Sequence, residues 1–85
     1  MKMTQVKSTN IKAIGFEYGI DGETGELHVE FPNGTYVYHD VPREVYAGLF
    51  QSQSKGAYLA SRIKGIYEFT KKPKKELVSI KELAP

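Results

Sequence analysis

The chain contains no cysteine, which excludes a disulfide framework, a thiolate nucleophile, an iron–sulfur cluster and a cysteine zinc site. It has no apolar run near the roughly 20 residues that a membrane helix needs. Its start, Met1-Lys2-Met3-Thr4-Gln5-Val6-Lys7, lacks the apolar stretch of a secretory signal. It has no Gly-rich phosphate loop ending in Lys-Ser/Thr and no nucleophile elbow. These absences predict a soluble cytoplasmic protein that is not an enzyme, holds no cofactor and has no membrane partner. What is present suits one small globular domain: 85 residues, 40% hydrophobic, 26% charged and 12% aromatic. A domain near this size buries only about 60% of its unfolded surface, so the core claims the periodic apolar positions first.

Charge of one sign is also scarce, with a net value of +2, and it divides unevenly. Residues 1–69 hold seven Lys and Arg against eight acids, or −1, whereas residues 70–85 hold five lysines against Glu76 and Glu82, or +3. The composition break at Thr70, followed by Lys71-Lys72-Pro73-Lys74-Lys75, predicts a folded domain over 1–69 and a basic C-terminal tail over 70–85, docked or disordered.

Ile14, Phe16 and Tyr18 alternate after Ile11, which predicts a first strand. Gly19, Asp21-Gly22 and Gly25 predict a loop over 19–25. Leu27, Val29 and Phe31 alternate against His28 and Glu30 in a second strand that ends at Pro32. Asn33-Gly34 is a strong two-residue hairpin signal, and a third strand follows over Thr35 to Asp40. With Asn33-Gly34 as the loop, Phe31 faces Tyr36, Val29 faces Tyr38 and His28 faces His39, so both tyrosines share the apolar face.

Val41-Pro42-Arg43-Glu44 predicts a helix with Pro42 at its first position. Val45, Tyr46, Leu49 and Phe50 form its apolar stripe. Ser54 caps a second helix whose Tyr58, Leu59 and Ile63 face inward and which Gly65 ends; Ile66 to Phe69 is a final short strand. The predicted fold is α+β: a three-stranded antiparallel meander, then two helices packed on one face, then a final short strand.

Few residues offer chemistry. His28 and His39, predicted cross-strand neighbours with Glu30 one diagonal away, suggest metal ligands, but two histidines without a third ligand at compatible spacing make an incomplete site, and no metal is expected. Asp21, Glu23 and Glu26 lack the spacing of a calcium loop and read as a solvated turn. Ser54-Lys55-Gly56 at a helix start suits an anion, since free amides and the dipole point outward there, and Arg62 and Lys64 extend the positive character. An ordinary capped helix with solvated lysines is the plainer alternative. Tyr36 and Tyr38 would suit base stacking, but the register assigns them to packing. Tyr67, between Lys64 and Lys71, is the tyrosine with the best prospect of exposure. The cluster of Lys71, Lys72, Lys74 and Lys75 suits a phosphate backbone or a solvated linker. Leu77, Ile80 and Leu83 behind it offer an apolar surface to a partner.

Taken in order, Ser8-Thr9-Asn10-Ile11, Ala13-Ile14-Gly15-Phe16, Leu27-His28-Val29-Glu30-Phe31, Asn33-Gly34, Tyr36-Val37-Tyr38, Val41-Pro42, Val45-Tyr46, Ser54-Lys55-Gly56 and Ile63-Lys64-Gly65-Ile66-Tyr67 resemble the KTSC domain. That family is named for the C terminus of some lysyl-tRNA synthetases and also occurs as stand-alone bacterial and phage proteins. The resemblance covers residues 6 to about 69 and implies no catalytic activity; it implies RNA as a partner through the synthetase association. Its Tyr-x-Tyr hallmark falls on Tyr36 and Tyr38, which with Pro42 and Gly65 are expected to be structural. The expected function is a small non-enzymatic module that binds RNA or another polyanion through Ser54, Lys55, Gly56, Arg62, Lys64, Tyr67, Lys71, Lys72, Lys74 and Lys75. The alternative is a protein-interaction module, either a homodimer or a phage-type modulator of a host protein.

Overall fold

Alternating apolar residues lay out a sheet, and two amphipathic helices close one side of it. The computed structural model describes residues 3–6 and 10–72. Its elements are β1 (Thr4–Gln5), β2 (Ala13–Tyr18), β3 (Thr24–Phe31), β4 (Gly34–Pro42), α1 (Arg43–Gln51), α2 (Lys55–Arg62) and β5 (Phe69–Lys72). The strands form one antiparallel sheet in chain order, β1-β2-β3-β4-β5. The α+β class is as predicted, but four strands precede the helices instead of three. The extra one, β1, is two residues long and has no periodicity to read; it exists through its pairing with Ala13 and Ile14.

One face of the sheet presents Ile14, Phe16, Leu27, Val29 and Tyr38 to Leu49 of α1 and to Leu59 and Ile63 at the end of α2, which together with Ile11 and Val41 form the core. Each buried aliphatic side chain of this kind contributes about 1.5–3 kcal/mol relative to an exposed one. Phe50, expected in the α1 stripe, is 46% exposed, as the turn of the helix carries it past the sheet.

The β3–β4 hairpin differs from its predicted register. Phe31 pairs with Gly34, so Pro32 and Asn33 are the loop residues, and every partner moves by two positions. Gly34 is not spent on the turn. It lies in β4 with φ +148°, and a Cβ there would stand 2.5 Å from the Lys72 carbonyl oxygen, so the missing side chain lets β5 pair closely. A shift of two leaves the faces unchanged. Tyr36 opposite Val29 and Tyr38 opposite Leu27 therefore remain on the core face, whereas His28 now opposes Val37 and not His39.

A bulge then re-phases β4. Between Gly25↔Val41 and Leu27↔Tyr38 the register shifts, so Glu26 alone opposes His39 and Asp40. Asp40 takes φ +56°, the left-handed conformation that aspartate tolerates. As a result Tyr38 and Val41, three residues apart, are both buried.

Pro42 stands at the N-cap of α1 and not at the first helical position. Its fixed φ of −63° is paired with an extended ψ of 144°, because Pro42 also ends β4. The Arg43 amide donates to the Glu23 carbonyl (2.8 Å), tying the helix start to the β2–β3 loop. In that loop Asp21 Oδ1 accepts from the Glu23 amide (2.9 Å) and the Thr24 amide (3.2 Å), bonds that hold its carboxyl below the usual range.

The predicted final strand over 66–69 is displaced. Gly65 takes φ +79°, and the Ile66 and Tyr67 amides both donate to the Ile63 carbonyl (3.1 and 3.2 Å). Ile66 and Tyr67 are thus spent on a turn, and β5 starts at Phe69 and runs to Lys72.

Candidate functional site

The helices are nine and eight residues long, or about 12–14 Å, and the sheet extends beyond them at the β3–β4 tip. There Phe31, Tyr36 and Phe69 meet on the core side of the sheet. The Tyr36 ring lies 5.3 Å from Phe31, edge-on, and 5.2 Å from Phe69. Tyr38 continues the row inward, 5.6 Å from Phe69, and is fully buried. Burial raises the Tyr38 hydroxyl pKa above its ordinary value, and its ring packs in the core cluster. Tyr36 and Phe31 are half-buried, and Phe69 is 52% exposed. The Lys71 ammonium stands 5.5 Å above the Tyr36 ring centre, within cation–π range. Three aromatic surfaces and one exposed cation therefore share a patch at the outer strand.

Phe31 and Phe69 were not among the candidate residues. Their relation to Tyr36 depends on β5 lying beside β4, with Tyr36 opposite Lys71 and Tyr38 opposite Phe69. The readable signal is the excess of aromatics in β3, β4 and β5 over what two short helices can cover.

The predicted polyanion residues are dispersed. Lys71 points to the core side of β5, and Lys72, its neighbour, to the other side. Lys55 Nζ donates to the Ser52 carbonyl (2.8 Å), turned back from the start of α2. Ser54 is the N-cap of α2 but makes no side-chain cap bond, and Gly56 faces open space. Arg62, at the far end of the helix, lies 5.8 Å over the Tyr58 ring. Lys64 is exposed, and Tyr67 packs against the core cluster. Lys74, Lys75 and the apolar residues Leu77, Ile80 and Leu83 lie outside the described residues. Lysines on an outer strand also deter edge-to-edge pairing, a structural use for Lys71 and Lys72.

Among the described residues, five of eight acids (Glu17, Asp21, Glu23, Glu26, Glu30) fall between β2 and β3, and five of seven bases (Lys55, Arg62, Lys64, Lys71, Lys72) fall after Gln53.

The face of the sheet away from the helices carries a second group of polar residues. His39 Nδ1 lies 3.2 Å from Glu26 Oε2, and its Nε2 lies 2.9 Å from Thr70 Oγ1. A carboxylate only accepts, so Nδ1 carries the hydrogen, and in the neutral ring Nε2 accepts from the Thr70 hydroxyl. His28 Nε2 lies 3.8 Å from Glu17 Oε1, too far for a hydrogen bond, and is buried without a partner. Burial first, and the Lys72 charge second, push the His28 pKa below 6.5. The predicted pairing of His28 with His39 is therefore absent. A third feature is a shallow groove where Tyr18, Tyr46 and Phe50 meet the charged rim of Arg43 and Glu44.

A family model of the KTSC domain matches residues 7–67, and the chain belongs to that family. The crystal structure of a KTSC domain protein from Yersinia pestis superposes with a TM-score of 0.73 at 30% identity, over 84% of this chain and 96% of that one. No curated protein matches the chain. Among the described residues no helix is long and apolar enough to cross a membrane.

Proposed function

We propose that this chain is a small, non-enzymatic cytoplasmic module that binds single-stranded RNA at the end of the sheet where β3, β4 and β5 meet. The observation that carries the reading is the Phe31–Tyr36–Phe69 cluster under the Lys71 ammonium. Exposed rings on a sheet stack unpaired bases at about 1–3 kcal/mol each, without regard to sequence. Lys71 is long and exposed; it leaves the Tyr36 ring for a phosphate when a base takes its place. Lys74 and Lys75 follow in the sequence and add to the backbone contacts. With Lys71, Lys74 and Lys75 engaged, log affinity falls against log salt with a slope of about −2.

Fluorescence anisotropy of a labelled single strand, titrated at several salt concentrations, tests this. The expected result is saturable binding with that salt slope, weakened in Phe69→Ala. No binding, or equal binding by Phe69→Ala, overturns it. A protein-interaction role is the second reading, favoured by the groove in which Tyr18 and Phe50 are 59% and 46% exposed. A partner that remains bound after nuclease treatment and is lost in Phe50→Ser supports that role over RNA.

A further inference from the structure

The open face of the sheet holds a group of residues that RNA binding does not use. Glu17 on β2 and Glu26 on β3 are direct cross-strand partners, and like charges placed opposite each other destabilise a sheet. Such an arrangement favours a cation between them. His28 shares this face, one side-chain step along β3 from Glu26. Its Nε2 faces Glu17 Oε1 at 3.8 Å, is shielded from solvent and bonds to nothing. A buried nitrogen left without a partner forfeits its solvation for no return, and a metal ion would restore it. A neutral imidazole is the form that binds metals.

Geometry agrees with this chemistry. One ligand atom each from Glu17, Glu26 and His28 lies within 4.8 Å of the other two. A tetrahedral ion with bonds of about 2.0–2.2 Å spaces its ligand atoms about 3.4 Å apart. Rotations that move the carboxylate oxygens by about an ångström close that difference. The Glu17 and Glu26 side chains are 62% and 47% exposed and open to solvent, and Glu17 is free to turn toward the other two. Behind Glu26 stands His39, anchored in turn on Thr70. A hydrogen-bonded partner of this kind orients a metal-binding carboxylate, and the bulge at Asp40 is what brings it into place. Lys72 is the charge opposing a cation here, and two carboxylates outweigh it.

The geometry points to a binding site for one divalent transition-metal ion of the zinc type, held by Glu17, Glu26 and His28 with water completing the shell. The imidazole ligand selects against magnesium and calcium, which take oxygen donors.

Calorimetric titration of the full chain with Zn²⁺ alone, at about pH 7.5 to keep histidine neutral, tests the site, with His28 followed by NMR. The expected outcome is one ion per chain, a His28 ring signal that shifts in step with it, and an affinity lowered tenfold or more in Glu17→Gln and His28→Gln. His39→Gln weakens binding by about 10–100-fold through its hold on Glu26. Excess Mg²⁺ does not compete. Absence of binding overturns the proposal. So does zinc binding that is unchanged in both Glu17→Gln and His28→Gln. Glu17 is exposed, so its variant folds and keeps the test decisive even if the His28 variant does not.

Discussion

The two faces of the sheet are drawn from the same strands, yet different properties of those strands decide them. On the helix-covered face Ile14, Phe16, Leu27, Val29 and Tyr38 form the core, and which residues belong there follows parity along each strand, re-phased once by the bulge before Val41. A hairpin that slips by two residues, as the β3–β4 turn does relative to its sequence signal, changes every partner and leaves this face intact. On the open face Glu17, Glu26, His28, His39 and Thr70 are polar, and what they do depends on who stands opposite whom. The same slip that is silent on the core face separates His28 from His39 there. Stability in this protein is thus set by periodicity, and site assembly by register.

The comparison breaks if the two faces respond alike to substitution. Leu27→Ala removes a fully buried side chain and is expected to cost about 2–5 kcal/mol in urea unfolding. Glu17→Gln, on the open face, is expected to shift stability by less than about 1 kcal/mol, in the stabilising direction, since it relieves the opposition to Glu26. Equal losses would refute the division.

Gly34 links the hairpin to β5. Alanine there meets both the φ of +148° and the Lys72 carbonyl at 2.5 Å, at an expected cost of about 1–3 kcal/mol. Hydrogen exchange should show the loss first in the amides of Phe69–Lys72. Retained protection in that strand would mean β5 is held by something other than its pairing with β4.

Phe69→Ala sharpens the contrast between packing and binding. This half-exposed ring is expected to contribute about 1–3 kcal/mol to single-strand affinity and less to folding than Leu27. A large stability loss with unchanged affinity would move Phe69 to the core side of the comparison.

Smaller effects come from charge. The folded pKa of His28 lies below its unfolded value of 6.5, so the folded state resists protonation. Its contribution to stability is complete above pH 6.5 and is lost as pH falls from there through the lowered value. Thermal melts across that window are expected to show a decline that is shallower in His28→Gln. An identical slope in the variant would assign the acid sensitivity elsewhere. Lys71→Ala is expected to lower the magnitude of the salt slope of RNA binding by about 0.7, the share of one phosphate contact on a single strand.

Much of the architecture is readable from local pattern. Ile14, Phe16 and Tyr18 announce β2, and Leu27, Val29 and Phe31 announce β3. Ser54, Leu59, Ile63 and Gly65 bound and orient α2, and the motif series from Ser8 to Tyr67 resembles the family to which the chain belongs. Each of these is a short-range property, written in periodicity, caps and turn residues. In each misreading a residue suited to one local role serves another, set by a distant strand in one case and by a local turn in the other. Gly34 suits a tight turn but accommodates the β5 backbone. Ile66 and Tyr67 suit a strand but are used in the turn closed on Ile63.

The candidate sites lie almost wholly on the long-range side of that divide. The sequence by itself determined the α+β class, the two helices, the inward faces of β2 and β3 and of β4 as far as Tyr38, and the separation of a near-neutral stretch over 1–69 from a basic end. Only the tertiary structure decided that Lys71 meets Tyr36, that Phe31 and Phe69 both pack against Tyr36, and that Glu17 opposes Glu26 beside an unpartnered His28 nitrogen. The physical reason is that side-chain parity is set within a single strand, whereas the meeting of two side chains requires a register between strands. Turns, bulges and missing Cβ atoms elsewhere in the chain set that register.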